Sequence, residues 1–204
     1  MTQHEYSIIG HSRAVVGRYL GTVAGILAGG SAIAAGAAFE LFEQLGLKDT
    51  STEVILWPLT VGAIFAAVHF IFDKLVWRWG IVRRLTGIPD LNGKWMVEGL
   101  TIGEGSQPWT GEITITQGWE KIWVFQKTAT SCSRSKAASL LYEAGAGFCL
   151  MYSYRNEPVL GEPMHAHIGY AELIFNDALD EATGEYFNSK GRATFGKMTL
   201  KRKS

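Results

Sequence analysis

The sequence predicts an α-helical transmembrane hairpin followed by an all-β domain, a small antiparallel barrel of eight strands. Two long stretches without a charged residue, 19–39 and 54–72, predict the hairpin. After residue 88 the pattern changes to short runs of β-branched and aromatic residues separated by turn-forming residues, which indicates strands. We therefore expect a membrane region with a basic linker over 1–88 and a β domain over 89–204.

The two apolar stretches have the length that membrane helices need. Residues 19–39 would reach roughly 30 Å as a helix, about the thickness of a hydrocarbon core. A cleaved signal peptide is the alternative for this stretch, but signal peptides have a shorter apolar core and no second span close behind. A pair of buried soluble helices would show polar residues at regular intervals, and neither stretch does. Two membrane spans are the prediction.

Basic residues indicate the orientation of the hairpin. Arg13 and Arg18 precede the first stretch, and Arg78, Arg83 and Arg84 follow the second. The intervening loop, residues 40–53, is acidic. Because cytoplasmic flanks hold an excess of Lys and Arg, we expect both termini and the β domain in the cytoplasm.

The first stretch contains two rows of small residues at helical spacing. One row consists of glycines, and the other consists mainly of alanines. Such rows allow helices to approach closely in lipid, either within one hairpin or between copies of the chain. Both alternatives stay open for the glycine row, which is our candidate oligomerisation surface: Gly17, Gly21, Gly25 and Gly29.

Composition excludes some functional classes. The chain of 204 residues has 19 basic and 19 acidic residues, so it lacks the positive charge of a DNA-binding or RNA-binding protein. Two cysteines, Cys132 and Cys149, do not make a disulfide framework. We interpret both as small, half-buried side chains in a reducing compartment.

No motif predicts catalysis. The β domain has neither a nucleophile motif nor a phosphate-binding loop. His165 and His167 would share one face of a strand, where two histidines can bind a metal, but no third histidine exists in this domain. We expect no enzymatic activity, no metal and no cofactor, and a metal-dependent membrane enzyme remains the alternative that these histidines permit.

Regularly spaced strands without intervening helices favour a meander that closes on itself. Alternation supports this, since Phe148, Leu150, Tyr152 and Tyr154 would share one face of a strand. A barrel of about eight strands is just wide enough to hold one small ligand. The predicted strands are 93–101, 110–117, 119–128, 134–142, 148–155, 164–175, 184–189 and 192–201.

Aromatic and polar residues are mixed within these strands. Aromatic rings can stack on nucleobases, and Arg, Asn and Thr can bind phosphates or base edges. Burial of an arginine inside a small barrel is unfavourable without an anionic partner, so an inward Arg192 would indicate one. The candidate ligand-binding residues are Trp123, Tyr152, Tyr154, His167, Tyr186, Asn188, Arg192 and Thr194.

The order of these parts resembles the membrane effectors of bacterial CBASS antiphage defence, which join two transmembrane helices to a minimal cyclic-nucleotide-binding β-barrel. The resemblance covers nearly the full chain and includes three segments: the hairpin, the linker that ends in Gly87–Trp95, and the closing Gly184–Asn188 with Gly191–Thr194. The opening Gly93-Lys94-Trp95 also looks like the first-strand signature of lipocalins.

The resemblance implies a function. A cyclic dinucleotide made by a partner CD-NTase would bind the barrel as an activating ligand. Binding would cause the hairpins to self-associate in the inner membrane, disrupt the bilayer and kill the infected cell. The alternative is a membrane-anchored, lipocalin-like carrier of an apolar small molecule, which would have an almost wholly apolar cavity and would not need Arg192.

Overall fold

The computed structural model describes residues 3–10, 13–45, 53–102, 106–189 and 193–203. They fall into two compact units, one of Met1–His11 with Gly80–Ser204 and one of Ser12–Trp79. A short 3₁₀ helix, Val76–Arg78, follows the second of the three α-helices. The elements are β1 His4–Ile9, α1 Arg13–Gln44, α2 Glu53–Lys74, α3 Gly80–Thr86, β2 Gly93–Ile102, β3 Gln107–Gln117, β4 Lys121–Thr128, β5 Ser131–Glu143, β6 Gly147–Pro158, β7 His167–Phe175, β8 Glu181–Ser189 and β9 Thr194–Arg202.

The helical unit consists of α1, α2 and the 3₁₀ helix. Both predicted stretches lie inside its α-helices, 19–39 in α1 and 54–72 in α2. Among the described residues, no helix has both the length and the apolar character needed to cross a membrane.

The two rows of small residues in α1 have different environments. Ala24 and Ala28, from the alanine row, are buried. In contrast, a Cβ atom added at any glycine of the candidate row would meet no atom within 4 Å among the described residues. Ala24 and Ala28 are therefore packed, whereas the glycine row, like Gly36 at the end of the other row, has open space beside it.

The β unit is a closed ring of nine strands in the order β1-β4-β3-β2-β9-β8-β7-β6-β5. Consecutive strands from β2 to β9 pair antiparallel, as the meander prediction required. The first and last of them, β2 and β9, also pair antiparallel. The prediction of eight strands omitted β1, which precedes the helices in the chain and belongs to the same compact unit as the other strands.

Strand β1 fills a gap between β4 and β5. These two strands pair directly only from Phe125 to Lys127, and β5 has a register shift between Ser135 and Ala137. Beyond this point β1 pairs antiparallel with β4 and parallel with β5. The inserted strand thus provides hydrogen-bond partners for two edges that would otherwise be exposed.

The interior of the ring is apolar at one end. Trp95 and Phe175 pack edge to face there, with ring centroids 5.1 Å apart, and the Arg202 guanidinium lies 5.1 Å from the Trp95 ring. Leu150 and Leu200 are also fully buried in this core. The likeness to lipocalins suggested by Trp95 stays a prediction.

Gln117 connects three segments at this apolar end. Its Nε2 donates to Tyr6 Oη of β1 and to the carbonyl of Pro89, each at 3.1 Å. Its Oε1 accepts from the Leu91 amide at 2.8 Å. One buried side chain therefore holds both β1 and the linker that leads into β2, and the cavity lies at the opposite end of the ring.

Candidate ligand-binding site

A cavity of about 700 Å³ occupies the polar end of the ring. Its volume lies within the usual range for small-molecule sites. Most of its lining side chains carry a hydroxyl, amide, imidazole or carboxylate group. The lining residues are Thr101, Gln107, Pro108, Trp109, Thr110, Gln126, Thr128, Ala129, Thr130, Ser131, Ser133, Tyr154, Asn156, Glu162, Pro163, Met164, His165, His167, Tyr186, Asn188 and Met198.

Four of the predicted ligand-binding residues line this cavity: Tyr154, His167, Tyr186 and Asn188. They come from three adjacent strands, β6, β7 and β8, whose register places Tyr154 opposite Gly169 and Gly169 opposite Asn188. Alternation along each strand directs their side chains to the interior. The structure therefore brings half of the predicted set to one site.

A hydrogen-bonded chain fixes part of the wall. The Tyr154 hydroxyl donates to Asn188 Oδ1 at 2.8 Å, and Asn188 Nδ2 donates to Thr194 Oγ1 at 2.9 Å. Thr194 does not itself line the cavity, so it acts by holding Asn188. Because both amide atoms of Asn188 are occupied, the orientation of its side chain is set by the protein.

A second cluster surrounds Tyr186. Its hydroxyl accepts from Trp109 Nε1 at 3.0 Å and lies 2.8 Å from Thr101 Oγ1. The rings of Trp109 and Tyr186 pack edge to face with centroids 5.8 Å apart. The cavity thus has rigid aromatic groups on two sides, Tyr154 on one and the Trp109–Tyr186 pair on the other.

Two of these rings lie over glycines of the neighbouring strand. Tyr154 faces Gly169 across the β6–β7 pair, and Tyr186 faces Gly196 across the β8–β9 pair. A Cβ at Gly169 would overlap the Tyr154 ring, and one at Gly196 would lie 2.7 Å from Tyr186 Oη. The absence of a side chain at each of these positions makes room for the tyrosine ring against the neighbouring strand.

Asn156 and His167 form a buried polar pair opposite each other on β6 and β7. Asn156 Nδ2 donates to Ser131 Oγ at 2.9 Å and to Ser133 Oγ at 2.8 Å, while its Oδ1 has no partner among the described residues. His167 Nδ1 lies 2.9 Å from the carbonyl oxygen of His165 and therefore donates its hydrogen there.

The described lining of the cavity is not positively charged. It contains one carboxylate, that of Glu162, and none of its described members is Lys or Arg. The predicted residue Arg192 lies outside the described residues, as does Lys190. By sequence, both belong to the segment that joins Ser189 of β8 to Ala193.

Besides Thr194, two predicted residues do not reach the cavity. Trp123 projects from the opposite face of β4 to the lining residues Gln126 and Thr128, and its ring stacks on Phe125 at 5.1 Å. Tyr152 points inward but is fully buried below Tyr154, with their rings 5.9 Å apart. Burial raises the pKa of the Tyr152 hydroxyl, which therefore stays protonated.

Sequence reasoning missed Asn156 and Trp109. The predicted strand 148–155 stopped one residue before Asn156, although alternation from Tyr152 and Tyr154 places it on the same face. Trp109 was excluded because the predicted strand began at 110, whereas β3 begins at Gln107. In both cases the signal was present, and the predicted strand boundary was wrong by three residues.

The two histidines that we predicted to share one face of a strand do not both belong to β7. His167 is the first residue of β7, and His165 lies in the preceding loop. Across the described ranges, no group of three or more His, Cys, Asp or Glu side chains could hold a metal.

Cys149 is buried, and burial raises the pKa of its thiol to about 11, so it is poorly reactive at neutral pH.

Comparisons with known proteins agree with this architecture. Residues 86–202 match the family model described as the Cap15 cyclic dinucleotide receptor domain, and residues 14–78 match the model of the Cap15 TM helices. The chain is also 38% identical to CD-NTase-associated protein 15 of Yersinia aleksiciae, over 99% of this chain and 98% of that protein. The TM-helix match supports a membrane location. The chain therefore belongs to the Cap15 family of CBASS effectors.

Proposed function

We propose that the cavity of the closed sheet binds a cyclic dinucleotide made by a partner CD-NTase. Binding causes α1–α2 hairpins of several copies to associate in the bacterial inner membrane, with both termini and the β unit in the cytoplasm. The assembled helices disrupt the membrane and kill the infected cell before phage can spread. The chain acts as a receptor and effector, without a catalytic step and without a DNA or RNA partner.

The observation that carries the ligand assignment is the coincidence of the receptor-domain match with a polar cavity. The matched residues, 86–202, include the whole lining of that cavity. Its tyrosines offer flat faces on which nucleobases can stack, worth about 1–3 kcal/mol for each base. Hydroxyl and amide groups of the strands can bind the ribose and phosphate oxygens.

Phosphate recognition needs positive charge or several hydrogen-bond donors. The described lining provides hydroxyls and imidazoles but no Lys or Arg. We therefore assign the cationic contribution to Lys190 and Arg192, which belong to the segment between β8 and β9. Arg192 keeps the role that the sequence suggested for it.

The alternative function, a carrier of an apolar molecule, has less support. Such a site would be lined almost wholly by apolar side chains. The buried lining instead includes Ser131, Ser133, Asn156 and His167. Burial of the unpaired Asn156 Oδ1 without a polar ligand would be unfavourable.

Thermal unfolding of the purified full chain in detergent tests the ligand assignment. Ligand at one hundred times its Kd stabilises the folded state by about 2.7 kcal/mol, which corresponds to a rise in Tm of about 5–10 °C. We expect this rise with at least one member of a panel of 3′,3′-cyclic dinucleotides. Tyr154→Leu and Arg192→Ala should reduce it, whereas Tyr142→Leu should not, because Tyr142 is exposed on β5.

Two outcomes would count against the proposal. If no cyclic dinucleotide raises the Tm, the receptor function is wrong for this chain. If binding occurs but Arg192→Ala leaves the affinity unchanged, the positive charge has been assigned to the wrong residue.

A further inference from the structure

Among the described residues that line the cavity, only Asn156 has a buried polar side-chain atom without a hydrogen-bond partner. The side chain is 7% exposed, and its Oδ1 makes no bond within the protein. A buried polar atom without a partner is destabilising, so its retention beside a cavity indicates a ligand group that donates to it.

The orientation of the Asn156 amide follows from the hydroxyls around it. The Thr128 hydroxyl donates to the Ser131 carbonyl and accepts from the Ser131 amide. The one hydrogen of the Thr128 hydroxyl is therefore already donated. In the contact between the two hydroxyls, the Ser131 hydroxyl is then the donor and the Thr128 oxygen the acceptor. The Ser131 oxygen is then an acceptor for Asn156 Nδ2, which leaves Oδ1 as the buried atom without a partner.

A second acceptor lies beside it. His167 is the register partner of Asn156, and its Nδ1 hydrogen is donated to the His165 carbonyl. In the neutral ring Nε2 is therefore an acceptor. Two neighbouring acceptors match an exocyclic amino group, which has two hydrogens to donate. They do not match uracil, whose edge has carbonyl oxygens on both sides of a single N–H.

We infer that Asn156 Oδ1 accepts a hydrogen bond from the exocyclic amino group of a nucleobase, so that this site selects a cyclic dinucleotide with adenine, cytosine or guanine over one with uracil alone. This inference rests on the proposed function and adds to it the edge of the base that is recognised. Asn156 is a specificity residue, and its partners Ser131 and Ser133 position it.

Calorimetric titration of the full chain in detergent tests the inference. The probes are cyclic di-AMP, its analogue with purine in place of each adenine, and cyclic di-UMP. We expect the wild-type chain to bind cyclic di-AMP about 5- to 100-fold more tightly than the other two, because the cost of leaving a buried acceptor unpaired falls in this range. Should the chain prefer guanine, cyclic di-GMP and cyclic di-IMP form the equivalent pair.

The Asn156→Leu variant separates recognition from general affinity. It should bind the amino-bearing ligand and its analogue equally, whereas Tyr142→Leu should keep the wild-type difference. If Asn156→Leu does not fold, Asn156→Ala serves the same comparison. Three results would overturn the inference and leave the receptor function standing. The wild-type chain could bind the amino-bearing ligand and its analogue equally, or it could prefer cyclic di-UMP. The third is that the Asn156→Leu variant still distinguishes the amino-bearing ligand from its analogue. If the wild-type chain binds no cyclic dinucleotide at all, the proposed function fails and the inference with it.

Discussion

At the scale of single residues, the site depends on pairs in which a tyrosine ring lies over a glycine. Tyr154 lies over Gly169 and Tyr186 over Gly196, each on the neighbouring strand. A methyl group at Gly169 would occupy the volume of the Tyr154 ring and force that ring away from the wall. The aromatic faces proposed to stack on the bases are thus positioned by glycines that contact no ligand.

The variant Gly169→Ala tests this arrangement. We expect it to destabilise the protein by about 1–3 kcal/mol, the usual cost of overpacking, and to weaken ligand binding. The additional change Tyr154→Ala removes the overlap, so the pair should cost clearly less than the sum of the two single changes. Thermal unfolding measures both, and strictly additive effects would contradict the contact.

At the scale of elements, β1 and the linker before β2 share one anchor. Gln117 donates to Tyr6 of β1 and to the Pro89 carbonyl, and it accepts from the Leu91 amide. The Tyr6 hydroxyl also donates to the Gly118 carbonyl at 3.3 Å. The two segments that flank the helical region in the chain are therefore fixed to the same strand, β3.

Substitutions along β1 should reflect this anchor. Tyr6→Phe removes two hydrogen bonds while keeping the ring, and we expect a loss of about 1–2 kcal/mol in the free energy of unfolding. Gln117→Leu leaves several buried groups unpaired and should cost about 3 kcal/mol or more. The control is Ser7→Ala on the same strand, where the bond to Ser139 is exposed; its effect should stay within about 0.5 kcal/mol. Equal effects of Tyr6→Phe and Ser7→Ala in thermal unfolding would show that the anchor contributes nothing.

At the scale of the whole molecule, the proposed detection and the proposed response belong to different units. The cavity lies at one end of the ring, whereas β1 ends and β2 begins at the other. In α1, the glycine row faces open space, while Ala24 and Ala28 of the other row are buried. This difference favours self-association as the role of the glycines, one of the two alternatives that the sequence left open.

Substitutions in the glycine row test the proposed response. Gly21→Leu with Gly25→Leu should abolish toxicity and ligand-dependent oligomers, because bulky side chains keep helices apart. Ligand-induced stabilisation of the β unit should remain. The matched control, Gly30→Leu with Gly62→Leu, changes two glycines outside the row that also have open space beside them. Cell survival and cross-linking in membranes measure the outcome, and unchanged toxicity in the first variant would return the glycines to a role in packing.

The sequence was informative wherever a periodic pattern ran over many residues. Strands β2 to β9 lie close to their predicted positions, because alternation and turn residues are local signals. The predicted ends of the strands were less accurate, and Asn156 was missed because β6 extends three residues beyond its predicted end. Trp123 was misplaced for a related reason, since an aromatic residue in a strand can face either side and local composition does not say which.

By itself, the sequence determined the order of parts, the two long helices and the meander of eight strands, since each depends on hydrophobic patterning within a segment. The tertiary structure decided which residues meet. Strand β1, six residues long, is held by edges of β4 and β5 that are distant in the chain, and no local signal marks it. The cavity likewise arises from register between strands, which places Asn156 beside His167 and glycines beneath tyrosines, and register is a property of the closed ring rather than of any one segment.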